Sequence, residues 1–307
     1  MKFLVTGGAG FIGNNIVRLL LKSNHEVDII DNLHTGKIEN IKDILNQINF
    51  FKIDIRNKKE LEKIINNYDG IFHEAALTAV PESFEKPKEY NDVNVIGTKN
   101  IFDIANRRNI RVVYASSSSV YGNTIEIPIK ENSKREPINP YGQTKLDDEI
   151  LAEKLKDLSV IGLRYFNVYG IGQNISYAGV ITNFLEKIKN KKPLIINGKG
   201  NQVRDFIHVN DIAKSNLDAM LSNVKKGFFN IGTGIPTSIN NLAEMMVKIS
   251  QNQNKIIHGP ELDGDIEVSQ ANIEFTKKSI NWNHLINLEE GLFELIQDSI
   301  KNYKSDS

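Results

Sequence analysis

The chain of 307 residues contains no cysteine, which excludes disulfide bonds, thiolate catalysis and cysteine-ligated zinc. It also lacks any apolar run close to the ~20 residues that a membrane-spanning helix needs. Neither sign of charge is in excess, because 38 Lys and Arg balance 38 Asp and Glu, so no overall field would attract nucleic acid or an anionic membrane. The opening residues show no basic region followed by an apolar core. We therefore expect no signal peptide and a soluble, cytoplasmic protein.

Short apolar runs alternate with amphipathic segments over the first half of the chain. The strand-like runs are KFLVT, EVDIID, FFKIDI, GIFHEAA and RVVYASSS, and helical periodicity marks the stretches between them. Alternating β and α units predict a parallel sheet with helices on both faces. The near-continuous apolar strands are typical of strands that are buried on both sides.

The sequence becomes less regular after Gly170, and the length allows about two domains at ~150 residues each. We expect a first domain over 1–168 and a second over 169–307. The stretch KNKKPLIINGKGNQ, residues 189–202, is predicted to be a loop-rich insertion. DFIHVNDIAKSNLDAML and GFFNIGTG again have helix and strand patterns. Parts of the segment near 205–234 are therefore expected to return to the first sheet.

A glycine-rich loop, TGGAGFIG, joins the first strand to the first helix. Its glycines at 7, 10 and 13 suit a tight turn, a close approach of the backbone to a diphosphate, and close packing of helix on strand. Asp31 ends the next strand, 18 residues after Gly13. A carboxylate there can accept hydrogen bonds from both hydroxyls of an adenosine ribose and would repel a 2′-phosphate. The alternative is a set of glycines that only turn the chain.

The glycine loop and the βα pattern together predict the fold class and the cofactor. The fold is predicted to be α/β, a Rossmann-type doubly wound parallel sheet with a smaller C-terminal substrate-binding domain. The cofactor is predicted to be NAD rather than NADP.

The stretch NPYGQTK, residues 139–145, has the pattern of a helix start. Asn139 is a favourable N-cap, and Pro140 suits the first helical position. Tyr141 and Lys145 then share one face of the helix, because positions i and i+4 are neighbours. A lone tyrosine and lysine at this spacing is common by chance, so both a catalytic pair and a plain surface pair remain open at this point.

Seven motifs, in order, resemble the extended short-chain dehydrogenase/reductase family and its UDP-hexose 4-epimerase branch. They are TGGAGFIG, DNLHTG, HEAA, NVIGT, YASSSSVYG, YGQTK and RYFNVYG, and they extend over nearly the whole chain. The resemblance implies a catalytic set of Ser117, Tyr141 and Lys145. Tyr141 would remove the proton of the sugar C4 hydroxyl while hydride passes from C4 to NAD+. Hydride would then return to the opposite face of the 4-keto sugar.

Such a base needs help, because a free tyrosine phenol has a pKa of ~10 and is protonated at neutral pH. A unit positive charge ~4 Å away favours the phenolate by roughly 4 kcal/mol at an effective dielectric of ~20. Lys145 would supply part of that charge, and oxidised nicotinamide the rest.

The resemblance also implies binding residues, and it implies no metal site. The implied cofactor contacts are Gly7, Gly10, Phe11, Ile12, Gly13, Asp31, Asn32, Gly36, Asp54, Ile55, Ala75, Asn94, Tyr141 and Lys145. The implied substrate contacts are Ser117, Asn167, Val180, Asn197, Arg204, Asp265 and Ser269.

Several of these residues could have a structural role instead of a binding role. A role in a turn, in helix capping or in packing would be an equally good explanation for Asn32, Asp54, Ile55, Ala75 and Asn94. Arg204 could form a surface salt bridge with Asp205. His73 is expected to be structural.

Two positions depart from the usual pattern of the family. Leu262 stands where an arginine usually lies, three residues before Asp265, which predicts weak UDP-sugar binding unless Lys255 or another cation substitutes. Ser269 is small where members restricted to unmodified hexoses tend to carry tyrosine. Space at that position predicts that UDP-GlcNAc is accepted as well as UDP-glucose. The alternative is that this segment is displaced and Ser269 lies outside the pocket.

Three other functions remain possible at this point. The first is a UDP-glucuronate 4-epimerase. The second is a nucleotide-sugar dehydratase or decarboxylase, although those relatives carry an acid where this chain has Ser118 and Ser119. The third is a non-catalytic dinucleotide-binding protein.

The resemblance also implies a homodimer, built as a four-helix bundle from the helices after Asn91 and Tyr141. Its apolar positions include Ile101, Ile104, Leu146 and Ile150, all of which could equally face their own sheet.

Overall fold

The computed structural model of the protein describes residues 1–173, 179–261 and 266–305. Its strands are β1 (Lys2–Thr6), β2 (Glu26–Asp31), β3 (Asn49–Lys52), β4 (Gly70–His73), β5 (Arg111–Ser117), β6 (Val160–Tyr165), β7 (Asn167–Tyr169), β8 (Leu194–Asn197), β9 (Val203–Arg204), β10 (Phe206–His208), β11 (Lys226–Ile231), β12 (Thr237–Ser238), β13 (Ile256–Gly259) and β14 (Val268–Ser269). Its α-helices are α1 (Phe11–Lys22), α2 (Lys58–Ile64), α3 (Val80–Glu85), α4 (Pro87–Tyr90), α5 (Thr98–Arg108), α6 (Pro140–Lys154), α7 (Val180–Lys189), α8 (Val209–Leu221), α9 (Ile239–Ser250), α10 (Glu274–Ile280) and α11 (Leu288–Ser305). Two 3-10 segments (Ile38–Gln47 and Ser118–Tyr121) and a π-helical segment (Asn91–Gly97) complete the described elements. No helix in these ranges is both long and apolar enough to span a membrane.

Seven parallel strands form the central sheet, in the order β11-β6-β5-β4-β1-β2-β3. From β1 the chain moves outward to β2 and β3 on one side, and then to β4, β5 and β6 on the other. The strand order therefore reverses between β1 and β4, which is where doubly wound sheets bind ligands, outside the carboxyl ends of the strands. This topology confirms the predicted α/β class. Strand β11, from the segment that was expected to return, forms the edge beside β6.

Helices cover both faces of this sheet, so its strands are buried on both sides. Phe3 and Val5 of β1 pack in one core cluster with α1 and α8, whereas Leu4 packs in a second cluster with α5. Ile101 and Ile104 of α5 are completely buried in that second cluster. Of the two orientations that the sequence left open for these isoleucines, the structure shows the one toward their own sheet.

A third apolar core lies in the later part of the chain, where α7, α9 and α11 pack on β8. The prediction of a loop-rich insertion over 189–202 is wrong, because Leu194–Asn197 forms strand β8 and pairs in parallel with β13. Leu194 and Ile196 are buried while Ile195 is 52% exposed, which is the alternation of a strand with one covered face. The strand that pairs with β8 lies far along the chain, and the local sequence, rich in lysine and glycine, does not indicate this pairing.

Candidate active site

A cavity of about 770 Å³ opens at the carboxyl ends of the central strands. It brings together residues that lie far apart in the chain. Those of the predicted set that line it are Gly7, Gly10, Phe11, Ile12, Gly13, Asp31, Asn32, Ile55, Ala75, Ser117, Tyr141 and Lys145. The position agrees with the switch point of the sheet.

The glycine loop forms part of the cavity wall and is too tightly packed to accept side chains. Gly7 has a φ of +70°, and a Cβ added to it would lie 2.7 Å from the backbone nitrogen of Ala75. A Cβ on Gly13 would lie only 2.2 Å from the carbonyl oxygen of Gly7. Gly10 is the N-cap of α1 and provides no side-chain cap, so the helix terminus is left to backbone N–H groups. Such a terminus favours an anionic diphosphate, and the cradle fits a dinucleotide.

Asp31 is a buried carboxylate at the end of β2, only 7% exposed. Its two oxygens accept hydrogen bonds from the backbone N–H groups of Ala9 (3.0 Å) and Leu33 (2.8 Å). Burial raises the pKa of Asp31 above its usual value, and the hydrogen bonds from these two N–H donors offset part of that rise. An ionised carboxylate has about four acceptor sites, so capacity remains for a ribose diol. Gly36 packs directly behind this carboxylate.

Two predicted cofactor residues, Asp54 and Asn94, form hydrogen bonds to residues that line the cavity. Asp54 accepts a hydrogen bond from the Asn32 amide (3.0 Å) and pairs with Arg56 (2.7 Å), which lowers the pKa of Asp54 to about 2. Asn94 is fully buried, and its amide bonds to both backbone groups of Leu77 (2.8 and 3.0 Å). The buried Asn94 thus has a packing contact, whereas the Asp54 side chain is 27% exposed beside Asn32.

The predicted catalytic residues meet in the same cavity. Helix α6 begins at Pro140, where the Asn139 side chain accepts a hydrogen bond from the Gly142 N–H (2.7 Å). This start places Tyr141 and Lys145 on the cavity. Lys145 is 4% exposed, and its ammonium donates to the carbonyl oxygen of Ala115 (2.9 Å). A buried ammonium one turn from a phenol can stabilise that phenol as a base.

Ser117 ends β5 and lines the cavity, but its hydroxyl already has partners. The oxygen accepts a hydrogen bond from the Ser119 N–H (3.1 Å), and the hydroxyl donates to the Ser119 side chain (3.1 Å). The preceding residue, Ser116, points elsewhere and donates to the buried carboxylate of Glu149 (2.7 Å). To donate to a reacting oxygen, the Ser117 hydroxyl would release the Ser119 side chain, while the bond from the Ser119 N–H can remain.

Glu74 is a cavity residue that the sequence reasoning missed, although it lies inside the HEAA motif. Its carboxyl accepts a hydrogen bond from the Tyr165 hydroxyl (3.0 Å), which in turn accepts one from the Asn216 amide (2.7 Å). Burial raises the pKa of Glu74 to about 8, although Tyr165 and Lys145 oppose that rise. A charged residue directly after an apolar strand was the available signal.

His73 lies beside Glu74 in the chain and is structural, as expected. Its ring nitrogens lie 2.6 Å from the hydroxyl of Thr6 and 2.9 Å from that of Thr98. Burial lowers the pKa of His73 to about 3, so the ring is neutral at neutral pH.

A second cavity of about 530 Å³ adjoins the first. The predicted substrate residues that line it are Asn167, Val180, Asn197 and Arg204. The two cavities share the wall residues Thr78, Phe166, Val168 and Gln173, so they lie side by side.

Arg204 lies on β9 at the wall of the second cavity, and its guanidinium donates to the carbonyl oxygens of Val203 (2.9 Å) and Ile266 (2.6 Å). Its neighbour Asp205 is completely buried and accepts hydrogen bonds from the Thr233, Gly234 and Ala271 backbones.

The other predicted substrate residues are Ser269 and Asp265. Ser269 of β14 pairs with Arg204 of β9, which lines the second cavity, and is 8% exposed. Asp265 and Leu262 fall outside the described residues.

Comparisons with known proteins agree with this arrangement. Residues 3–232 match the family described as the NAD dependent epimerase/dehydratase family. A Methanocaldococcus jannaschii protein, provisionally named a UDP-glucose 4-epimerase, is 39% identical over 95% of this chain and 96% of its own length. A Bacillus cytotoxicus protein named UDP-N-acetyl-alpha-D-glucosaminuronate decarboxylase is 32% identical over 96% of this chain and 97% of its own.

Among the solved structures with a fold similar to that of this chain is one with a bound nucleotide sugar. It is the UDP-N-acetylglucosamine 4-epimerase from Methanobrevibacter ruminantium M1, in complex with UDP-N-acetylmuramic acid. It is 35% identical to this chain, covers 98% of both chains and has a TM-score of 0.92.

Proposed function

The chain belongs to the NAD-dependent epimerase/dehydratase family, and from that premise we propose that it is a 4-epimerase of UDP-hexoses. Its substrates are UDP-glucose and UDP-GlcNAc with their galacto epimers. One observation carries the proposal. Ser117, Tyr141 and Lys145 line a cofactor-sized cavity, and an adjoining second cavity is lined by Asn167 and Arg204.

The first cavity would hold NAD, which when bound would supply a reversible acceptor for the hydride of the sugar carbon. The N–H groups of the glycine loop and of the α1 terminus hold the diphosphate, and Asp31 holds the adenosine ribose. Tyr141 as phenolate takes the proton of the C4 hydroxyl, and the buried Lys145 ammonium stabilises that phenolate. Ser117 exchanges its bond to Ser119 for one to the reacting oxygen. These steps return the same proton to the sugar at the end of each cycle.

The second cavity holds the nucleotide part of the substrate. The Arg204 guanidinium can pair bidentately with phosphate oxygens, and Asn167 supplies an amide to the diphosphate. Val180 and Asn197 complete the wall. In this proposal residues 1–168, with the returning segment near 205–234, bind NAD, and residues 169–307 bind the nucleotide sugar.

Acceptance of UDP-GlcNAc rests on the small side chain of Ser269 and is supported by the solved UDP-GlcNAc 4-epimerase in the same family. A second candidate function is dehydration or decarboxylation of the 4-keto sugar. The 32% identical decarboxylase favours it, as does Glu74, an acid in the cavity. Ser118 and Ser119 argue against it, because they occupy the places where such enzymes carry an acid.

The proposal is tested by incubating the purified protein and NAD+ separately with UDP-glucose, UDP-GlcNAc and UDP-glucuronate, with products identified by NMR. The proposal predicts galacto epimers from the first two sugars and a turnover lowered by about two to four orders of magnitude in the Tyr141→Phe variant. The galacturonate epimer as sole product would make the protein a UDP-glucuronate 4-epimerase. A pentose or a 4-keto-6-deoxy sugar would establish the second candidate function. No product from any of the three would overturn the assignment.

We also propose a homodimer, formed by the helical segments over 91–108 and 140–154. Since Ile101 and Ile104 face the core, the contact would use the outer positions of those segments. Ile96 is 44% exposed, and Leu146 and Ile150 are half-buried. Sedimentation at micromolar concentration should give a dimer, and a monomer there would rule this contact out.

A further inference from the structure

Glu74 is an acid on the cavity wall for which the proposed 4-epimerase steps have no use. It directly follows β4, and its backbone N–H donates to the carbonyl oxygen of Thr6 (3.1 Å). Side chains alternate between the two faces of a strand, and the ring of His73 lies 2.9 Å from the hydroxyl of Thr98 on the α5 face. The Glu74 side chain therefore points to the other face, where its carboxyl accepts a hydrogen bond from the Tyr165 hydroxyl (3.0 Å). This bond joins the end of β4 to the end of β6.

The hydrogen bond alone does not require an acid at this position. The Tyr165 hydroxyl accepts a bond from the Asn216 amide (2.7 Å), so it presents its own proton to Glu74. A glutamine carbonyl would accept that proton equally well. Within the described ranges no other residue donates a hydrogen bond to the Glu74 carboxyl. An ionisable group on the cavity wall therefore needs a reason beyond this contact.

The two halves of a dinucleotide fall on different parts of the cavity wall. Asp31 ends β2 and Arg56 follows β3, so that side of the sheet takes the adenosine half. In a doubly wound sheet the other half lies beyond the switch point, here over β4, β5 and β6. The acids that line the cavity within the described residues are Asp31, Glu74 and Glu89. Since Glu89 acts on Arg56, it belongs to the adenosine side, and Glu74 is the acid on the nicotinamide side.

The groups around Glu74 hold its proton when no cofactor is bound. Burial raises the pKa of Glu74 to about 8, although the Tyr165 hydroxyl and the Lys145 ammonium oppose that rise. His73, its neighbour in the chain, is neutral. Burial also raises the pKa of Tyr165, so this phenol stays protonated, and Tyr141 of α6 lies on the same wall. At pH 7 the Glu74 carboxyl is therefore mostly protonated.

We propose that Glu74 gives up its proton when NAD+ binds, and that the resulting carboxylate makes the site prefer NAD+ to NADH. The proton passes to the buffer. Oxidised nicotinamide carries a positive charge and reduced nicotinamide carries none, so only the oxidised form favours a carboxylate nearby. The inference rests on the part of the proposed function that places NAD in the first cavity, and it does not depend on the sugar.

The size of the effect follows from Coulomb's law. At an effective dielectric of ~20, a unit positive charge ~8 Å away lowers the pKa of an acid by about 1.5. The pKa of Glu74 would then fall from about 8 to below 7, which at pH 7 releases roughly two-thirds of a proton for each NAD+ bound. The carboxylate is the form that binds NAD+ more tightly, so NAD+ affinity should rise with pH. The rise should be roughly tenfold or more between pH 6 and pH 8.5, and NADH affinity should not follow it.

The experiment is calorimetric titration of the nucleotide-free protein with NAD+ and, separately, with NADH, both without sugar. Comparing two buffers of different ionisation enthalpy gives the number of protons released. All arms carry Tyr141→Phe, so that a proton from Tyr141 does not contribute. In this background NAD+ should release roughly two-thirds of a proton at pH 7, and NADH much less. Adding Glu74→Gln should abolish the release and flatten the rise of NAD+ affinity with pH. Its NADH affinity should stay close to that of the parent, which shows that the site is intact.

Glu89→Gln is the matched control, because Glu89 lines the same cavity on the adenosine side. It should leave the proton release and the pH dependence unchanged. An undiminished release in Glu74→Gln, or an equal loss in Glu89→Gln, would overturn the inference. If NAD+ binds without releasing a proton, the inference fails and the cofactor site stands. If Glu74 releases its proton as described yet the protein converts no UDP-sugar, the 4-epimerase function fails and the inference stands.

Discussion

Glu149→Gln should destabilise the protein strongly, because Glu149 neutralises a buried arginine. Both residues are essentially inaccessible, at 0% exposure for Glu149 and 2% for Arg164. The guanidinium makes two bonds of 2.7 Å to the two carboxylate oxygens. Ser116 adds a third bond of 2.7 Å to the same carboxylate. The pair thus connects α6 to strands β5 and β6 in the interior.

The expected loss follows from what remains after the change. A glutamine of equal size removes the charge and turns one acceptor into a donor, so Arg164 stays buried without a counter-ion. Its other bonds go to the neutral oxygens of Tyr121 (2.6 Å) and the Glu131 backbone (2.8 Å). Breaking one side of such a buried pair typically costs ~3–5 kcal/mol. This loss is a large part of the ~5–15 kcal/mol that stabilises most proteins.

The assay is urea unfolding followed by the fluorescence of Trp282, the single tryptophan, which is buried in the same core as α1 and α8. Glu153→Gln is the matched control one turn further along α6. Its side chain is 44% exposed and pairs with Arg135 (3.0 Å), which is 28% exposed and also pairs with Glu149 (3.0 Å). An exposed pair contributes about 1 kcal/mol or less. Equal losses in the two variants would refute the idea that the buried charge pair holds α6.

Four further predictions address the cofactor, the base, the acid and the sugar. Tyr141→Phe should keep NAD affinity and lower turnover by about two to four orders of magnitude, the range for loss of a general base. More than half of wild-type turnover would remove Tyr141 from the mechanism. Asp31→Ala should weaken NAD binding measured by calorimetry, and unchanged affinity would contradict the ribose contact. The pKa of Glu74 is raised from 4.5 to about 8, so the folded state binds this proton more tightly than the unfolded chain does. The contribution of this proton to the free energy of unfolding is therefore lost as the pH rises from 4.5 toward 8. The melting temperature without cofactor should fall over that range, and less steeply in Glu74→Gln, whereas equal slopes would show that Glu74 does not titrate there. Ser269→Tyr should spare UDP-glucose and lower UDP-GlcNAc turnover roughly tenfold or more through overpacking, and equal effects on both would place Ser269 outside the sugar pocket.

Much of the fold was predictable because its signals are local. The apolar strand runs, the glycine loop and the Asn139 cap each depend on residues within a few positions of one another. The parallel order of the sheet followed from the alternation of strands and helices. Strand β8 was missed for the opposite reason. Its partner β13 lies about sixty residues later, and no local pattern reports that pairing.

The cavity could be predicted only in part, because a sequence motif specifies residue positions but not the directions in which their side chains point. The Asn94 side chain, for example, is buried and bonds to the backbone of Leu77, which the motif alone does not indicate. Glu74 belongs to the HEAA motif but was not predicted as a site residue, although it lines the cavity. Which way a side chain points at the end of a strand depends on packing from other elements, and the sequence does not state it.

Helix α6 shows this limit most clearly, because its buried face is polar. Four polar residues of this face are buried, namely Thr144, Lys145, Asp148 and Glu149. Hydrophobic periodicity alone would have predicted that this face is exposed to solvent. A single buried charge is too costly to keep alone, so each one requires a partner. Lys145 is paired with Asp148, and Glu149 with Arg164. The lysine that we propose as the partner of the base and the charges that hold the helix therefore belong to one buried set, and removing one partner of a buried pair should lower the stability of the protein.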